Sequence, residues 1–110
     1  VDSYLINNKK LESPFMMLAF RTTQLAKNDL KAAIHPYDFT TRPQIIEKKA
    51  AADYYKILKE FEKLTGIGGL LNTSFNIHGF PIVCSPKDAI DTFKNSGLRY
   101  LALGNYLLQK

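Results

Sequence analysis

A length of 110 residues allows one domain, and 45% hydrophobic with 12% aromatic residues is enough for a packed core. No apolar run is long enough to cross a bilayer, and the single cysteine, Cys84, excludes an internal disulfide and fits a reducing compartment, so we expect a cytoplasmic protein without membrane contact. The net charge of +5 favours an anionic partner but does not distinguish nucleic acid, a nucleotide, a small phosphate or an acidic protein face.

The first half of the chain predicts two strands separated by a stretch that stays undecided. Residues 14–23 predict a strand because they contain an uninterrupted apolar run, which is typical of a strand covered on both faces. Residues 24–33 fit either a short helix or a loop, and residues 34–41 carry turn residues. Residues 42–47 predict another strand, in which Pro43 favours an edge position or the first residues.

Two segments predict the main helices. Residues about 50–65 place apolar side chains at helical spacing on one face and lysines on the other, and a glycine follows their end. Residues about 86–96 follow a complete start signal, with Ser85 as N-cap, Pro86 at the first helical position and Asp88 at the third.

The remaining strands are predicted in the second half. Residues 70–73 and 81–84 predict two short strands, and Gly79 lies between them where a positive φ is expected. Residues 100–108 predict a final strand, or two strands joined at residues 104–105. Helices that alternate with strands indicate an α/β or α+β layer fold.

A cluster of small polar side chains follows the apolar run that ends at Leu71. Asn72, Ser74 and Asn76 would be costly if they were buried without hydrogen-bond partners. They therefore face water, close a local turn or hold a polar ligand. From the residues alone, the turn and the ligand are equally compatible with the pattern.

Few other residues predict chemistry. The Arg42 guanidinium matches phosphate or carboxylate oxygens, although a surface or ion-paired arginine is the commoner role at such a position. Ser74 could donate to a phosphate oxygen but has no visible activating base. The histidines, His35 and His78, fit structural or solvated roles. Because they lie far apart and no acidic pair or metal-ligand triad occurs, no metal site is expected in this chain.

Several motifs, taken in order, resemble one family. Ser13–Phe20, Thr40–Gln44, Leu64–Gly66, Asn72–Asn76 and Ser85–Ala89 resemble the C-terminal region of the O-carbamoyltransferases of the nodulation-factor and antibiotic-tailoring type. The resemblance covers nearly the whole chain with similar spacings.

The resemblance implies both a fold and an activity. Residues 1–110 are expected to be the C-terminal part of a YrdC-like domain, an α/β (α+β) fold with a twisted mixed sheet and the two main helices. That domain takes ATP, with Mg²⁺, and carbamoyl phosphate, and makes carbamoyl adenylate with release of pyrophosphate and phosphate. A large N-terminal domain of the actin/sugar-kinase-like class, absent here, binds metal and transfers the carbamoyl group to an acceptor hydroxyl.

The resemblance also assigns residues. Arg42 matches the arginine that contacts phosphate or carbamoyl groups, Ser74 matches the serine that does the same, and Asn72 stands beside it. Met17 matches an apolar residue that lines the nucleotide site. It implies no catalytic residue or metal ligand in this chain. The predicted strands suggest that Arg42 and Ser74 lie at neighbouring strand ends, where a guanidinium and a hydroxyl could hold one phosphate.

Two departures from the family pattern limit the expected activity. Phe80 stands where the family usually carries a glutamate, and the Lys/Arg-rich segment that normally precedes this region is absent. The isolated chain is therefore expected to bind ATP or carbamoyl phosphate weakly and to be inactive.

Two rival functions remain at this point. An RNA-binding module is suggested by the positive charge and by the RNA links of YrdC-like folds, but the lysines lie mostly on a helix face and the aromatic residues mostly in the predicted core, so nucleic acid is the less expected partner. A non-catalytic interaction domain is the other alternative, in which the loop over residues 72–76 only closes a turn.

Overall fold

The computed structural model describes residues 2–110, and its contacts divide the chain after Asn72 into a first and a second compact unit. Helices and strands are mixed in the chain, which confirms the α+β class. The described strands form two antiparallel sheets and not the single mixed sheet that was expected. No described helix combines the length and the apolar character that crossing a membrane requires.

The first unit contains a three-stranded antiparallel sheet and two α-helices. In chain order its elements are β1 Leu5–Ile6, β2 Phe20–Thr22, α1 Gln24–Asp29, a 3₁₀ turn Lys31–Ala33, β3 Thr40–Thr41 and α2 Ala52–Thr65. The central strand is β2, which pairs Thr22 with Leu5 on one side and Phe20 with Thr41 on the other. Leu5 and Phe20 are buried together with Ala26 and Ile34, so the core of this unit lies around β2 and α1.

The helix α1 resolves the stretch that the sequence left undecided. Thr23 caps it, because its hydroxyl oxygen accepts a hydrogen bond from the Ala26 amide at 3.2 Å. In this helix Ala26 lies in the core and is 1% exposed.

The predicted first main helix is confirmed as α2. It ends at Gly66, whose φ of 77° is left-handed and whose N–H donates to the Glu62 carbonyl at 2.8 Å. Ile57 is 57% and Leu64 is 85% exposed, and no α2 side chain is fully buried. The apolar face that predicts this helix is therefore only partly covered by the described residues.

Two strands predicted in the first unit are wrong over most of their length. Pro14 begins a turn and Met16 has a left-handed φ of 56°, so pairing is confined to β2. The segment 42–47 runs beside Ser13, whose carbonyl accepts from the Ile45 amide at 2.8 Å. Since Pro43 has no N–H, no ladder continues there.

The second unit contains α3 Pro86–Asn95 and a two-stranded hairpin of β4 Tyr100–Leu103 and β5 Tyr106–Gln109. The hairpin turns at Gly104, where φ is 58°, and it confirms the two-strand alternative for the final segment. α3 packs on β4 and buries Ala89 and Phe93.

The strands predicted over residues 70–73 and 81–84 are also wrong, because neither segment pairs with a strand among residues 2–110. In the second of them, one hydrogen bond from the Val83 amide to the Phe75 carbonyl at 3.0 Å closes a loop and forms no ladder.

The predicted second main helix is confirmed, including its start signal. The Ser85 hydroxyl oxygen accepts from the Asp88 amide at 3.2 Å, and the Asp88 carboxylate accepts from the Ser85 amide at 3.0 Å. The two hydrogen bonds that Ser85 donates, from its hydroxyl and its amide, lower the pKa of Asp88. The carboxylate therefore stays ionised as a cap to a lower pH than an ordinary aspartate does.

We expect Ser85→Ala to lower the free energy of unfolding by about 1 kcal/mol, because the hydroxyl no longer accepts from the Asp88 amide or donates to the Asp88 carboxylate. Urea unfolding of the chain at neutral pH measures the difference, and Ser85→Thr, which keeps the hydroxyl, is the control. The carboxylate-dependent part of the cap is complete above the ordinary pKa of an aspartate and is lost as the pH falls through the lowered pKa of Asp88. Equal unfolding midpoints for Ser85→Ala and wild type would contradict this role.

Candidate functional site

Arg42 directly follows β3, and the pairing of β3 with β2 fixes where its backbone lies. Its side chain is exposed, and its guanidinium forms neither an ion pair nor a hydrogen bond with any residue of the described part of the chain. The preceding Thr41 is anchored, because its hydroxyl donates to the Ala33 carbonyl at 2.6 Å. The Arg42 guanidinium therefore extends from an anchored backbone, and its N–H groups remain available to a ligand.

A cleft of about 350 Å³ in the first unit brings Arg42 and Asn72 together. This size falls within the range of small-molecule sites. Its walls are mostly apolar and aromatic, and they include Tyr4, Leu30, Ile46, Tyr55, Leu58 and Leu70. Two of the three predicted substrate-binding residues thus line the same cleft, with an apolar wall beside a cationic group.

Met16, and not Met17, lines this cleft. The Asn72 amide group approaches the Met16 sulfur at 3.6 Å. Met17 is 80% exposed because the segment makes a turn at Met16 and does not continue as a strand. The predicted contact between Met17 and a nucleotide stays a prediction.

A second cleft, of about 400 Å³, lies in the same unit and shares Arg42 with the first. Beside Arg42 its lining carries the polar side chains of Thr40, Asp38 and His35, and the rest of the lining is mostly apolar. Arg42 therefore lines both clefts, and in the second it stands beside these polar side chains.

Sequence reasoning missed the pair formed by His35 and Asp38 at the second cleft. The His35 Nδ1 atom lies 3.3 Å from an Asp38 carboxylate oxygen, which also accepts from the Thr40 amide at 2.9 Å. The Thr40 amide and hydroxyl hydrogen bonds lower the pKa of Asp38. The signal was present in the sequence, since a histidine and an aspartate three residues apart flank a proline turn just before Arg42.

Ser74 lies in the second unit and is exposed. Its hydroxyl forms no hydrogen bond with another residue in 2–110, whereas the Asn76 amide donates to the Phe80 carbonyl at 2.9 Å. The local-turn alternative is therefore right for Asn76, and Ser74 is left available. Because Ser74 and Arg42 belong to different units, their predicted convergence on one phosphate remains a prediction.

The described residues contain no group of three His, Cys, Asp or Glu side chains that could hold a metal ion. The ligand-binding chemistry that the chain offers is hydrogen bonding and charge from Arg42, Asn72, Ser74 and the His35–Asp38 pair.

Comparison with known protein families matches residues 1–110 to the model described as the carbamoyltransferase C-terminus. The chain belongs to this family. Family membership relates it to transferases of carbamoyl groups and confirms the resemblance seen in its motifs.

Individual proteins are also similar to this carbamoyltransferase C-terminus. Uncharacterized protein MJ1051 of Methanocaldococcus jannaschii is 43% identical over 110 residues, which are 100% of this chain and 21% of that protein. Nodulation protein NolNO of Sinorhizobium fredii is 37% identical over 94% of the chain, and nodulation protein NolO of Bradyrhizobium diazoefficiens is 39% identical over 88%. The chain spans 15% and 18% of these two proteins, so it matches a small part of each.

Proposed function

We propose that this carbamoyltransferase C-terminus binds carbamoyl phosphate and ATP for the formation of carbamoyl adenylate, as part of an O-carbamoyltransferase. Overall, ATP, carbamoyl phosphate and one water give carbamoyl adenylate, pyrophosphate and phosphate. The carbamoyl group then passes to the hydroxyl of an acceptor substrate bound elsewhere in the protein, and AMP is released. The observation that carries the proposal is the Arg42 guanidinium, which has no ion-pair partner in the described part of the chain and lines both clefts.

The two clefts differ in a way that suits the two substrates. The apolar walls of the first cleft suit the flat ring of a nucleotide, and Asn72 supplies an amide at its edge. The smaller carbamoyl phosphate suits the polar side chains that stand beside Arg42 in the second cleft. Arg42 would then contact the phosphates of both substrates where they must meet, and its fixed charge would stabilise the negative charge that shifts between them.

The remaining parts of the proposal concern the whole protein. ATP would enter with Mg²⁺ as part of the substrate, and Met17 would contact the nucleotide from the exposed segment next to Met16. The metal of the transfer step and the acceptor site would be supplied by polypeptide beyond this chain. We place the reaction in the cytoplasm, because Cys84 is exposed and unpaired, which suits a reducing compartment.

Pyrophosphate release by the full-length protein tests the proposed function. We expect release from ATP only when carbamoyl phosphate is added, together with a carbamoyl adenylate detectable by mass spectrometry. Release without carbamoyl phosphate, or none under any condition with folded protein, would contradict the proposal.

We expect Ser74→Ala in the full-length protein to lower kcat/KM for carbamoyl phosphate about tenfold, because one hydrogen bond to a charged oxygen is lost. Steady-state kinetics at saturating ATP measure it. Ser74→Thr keeps a hydroxyl and is expected to retain most of the activity. Kinetics of Ser74→Ala that match wild type would instead favour the interaction-domain alternative for this loop.

A further inference from the structure

The turn from His35 to Thr40, at the second cleft, is closed by several hydrogen bonds among its own residues. The His35 amide donates to the Thr40 carbonyl at 2.8 Å, and the Phe39 amide donates back to the His35 carbonyl at 3.0 Å. The Thr40 hydroxyl donates to Asp38 at 2.8 Å. These hydrogen bonds fix both ends of the turn immediately before Arg42.

Phe39 adopts a left-handed φ of 56°, which is uncommon for a bulky residue. Two contacts hold it there. The hydroxyl of buried Thr22 donates to the Phe39 carbonyl at 2.6 Å, and the Lys27 ammonium lies 4.1 Å from the centroid of the Phe39 ring. Backbone strain that the surroundings maintain is concentrated at functional sites.

The fixed turn orients the His35 ring. Nδ1 lies 3.3 Å from the ionised Asp38 carboxylate, at ion-pair distance, and Nε2 is the nitrogen left for another partner. His35 and Arg42 line the same cleft, in which the Thr41 hydroxyl donates to the Ala33 carbonyl. Among the side chains that line this cleft, those of Arg42 and His35 carry the nitrogen groups.

We propose that His35, oriented by Asp38, is a second ligand of the acyl phosphate that Arg42 binds. In its charged form the ring donates from Nε2 to a phosphoryl oxygen, while Nδ1 stays paired with the Asp38 carboxylate. Asp38 is a positioning residue, since it acts through the ring. This inference rests on the proposed function, and it assigns the second cleft to carbamoyl phosphate and not to the nucleotide.

The test is steady-state kinetics of the full-length protein with each substrate varied in turn. We expect His35→Ala to raise KM for carbamoyl phosphate about tenfold, as for the loss of a charge-assisted hydrogen bond, with KM for ATP changed less than about twofold. His35→Gln, whose amide can still donate, should recover part of the loss, and Asp38→Asn should give a smaller rise in the same KM. Tyr37→Phe is the matched control, because Tyr37 belongs to the same turn, is 89% exposed and lines neither cleft.

Distinct outcomes overturn the two proposals. Active wild type with unchanged constants in both His35 variants would overturn the role of His35 alone, as would equal rises in the KM of both substrates. A wild-type protein without carbamoyl phosphate-dependent turnover would overturn both. Thermal unfolding of each variant shows whether a change in KM comes from a loss of the folded structure. If His35→Ala unfolds, His35→Gln still tests the role of His35.

Discussion

Arg42→Ala in the full-length protein is expected to lower kcat/KM for carbamoyl phosphate by about 10²- to 10³-fold, the range found when a donor aimed at developing charge is removed. The guanidinium has no carboxylate partner in the part of the chain that the structure describes, so its removal leaves no unpaired acid behind. The substitution should therefore weaken substrate binding and turnover and leave the free energy of unfolding almost unchanged.

Arg42→Lys separates charge from geometry. A lysine keeps the positive charge but cannot present two parallel N–H groups to one phosphate, so we expect an intermediate loss. Arg21→Ala is the matched control, because Arg21 is an exposed arginine of β2 that lines neither cleft. Equal kinetic constants for Arg42→Ala and Arg21→Ala would show that Arg42 does not bind the substrate and would contradict the proposed site.

The second large effect is expected from the isolated 110-residue chain, which should show no carbamoyl transfer and should bind ATP with a dissociation constant of about 1 mM or weaker. The chain spans only 21% of its relative from Methanocaldococcus jannaschii. Its described core is small, with Leu5, Phe20, Ala26, Ile34, Ala89 and Phe93 as the buried apolar residues. In the proposed function the other ligand groups are supplied by polypeptide beyond this chain, so the isolated chain offers only part of the contacts that each substrate needs.

Isothermal titration with ATP and with carbamoyl phosphate, followed by a turnover assay with the full-length protein as reference, measures this effect. Robust carbamoyl transfer by the isolated chain would contradict the expectation and would place all of the catalytic machinery within these residues.

The two main helices could be predicted because the signals that start and stop them are local. Ser85, Pro86 and Asp88 carry the capping box within a few residues, and Gly66 supplies the left-handed end of α2. These interactions need no distant partner, so the sequence alone contains them.

The strands were predicted less well because a strand requires a partner. The apolar runs at 14–19, 70–73 and 81–84 indicate affinity for an apolar environment but do not say which backbone would pair with them. The hairpin of β4 and β5 could be predicted as an alternative, since Gly104 stands between two apolar runs that can pair with each other.

The candidate site shows the same limit. Arg42 and Asn72 were identified from their motifs, and the structure places them on one cleft. The pairing of His35 with Asp38 depends on how the turn closes through Thr40, and no helical or strand periodicity reveals such a contact.

Among the described residues, β4 and β5 pair only with each other, and Tyr100 and Leu107, which share one face, are 57% and 72% exposed. Each strand therefore presents an unsatisfied row of amides and carbonyls beside an apolar surface. Such edges are templates for intermolecular β-pairing, so we expect concentrated solutions of the isolated chain to aggregate. Leu107→Lys, which puts a charge on this face, should lower that tendency.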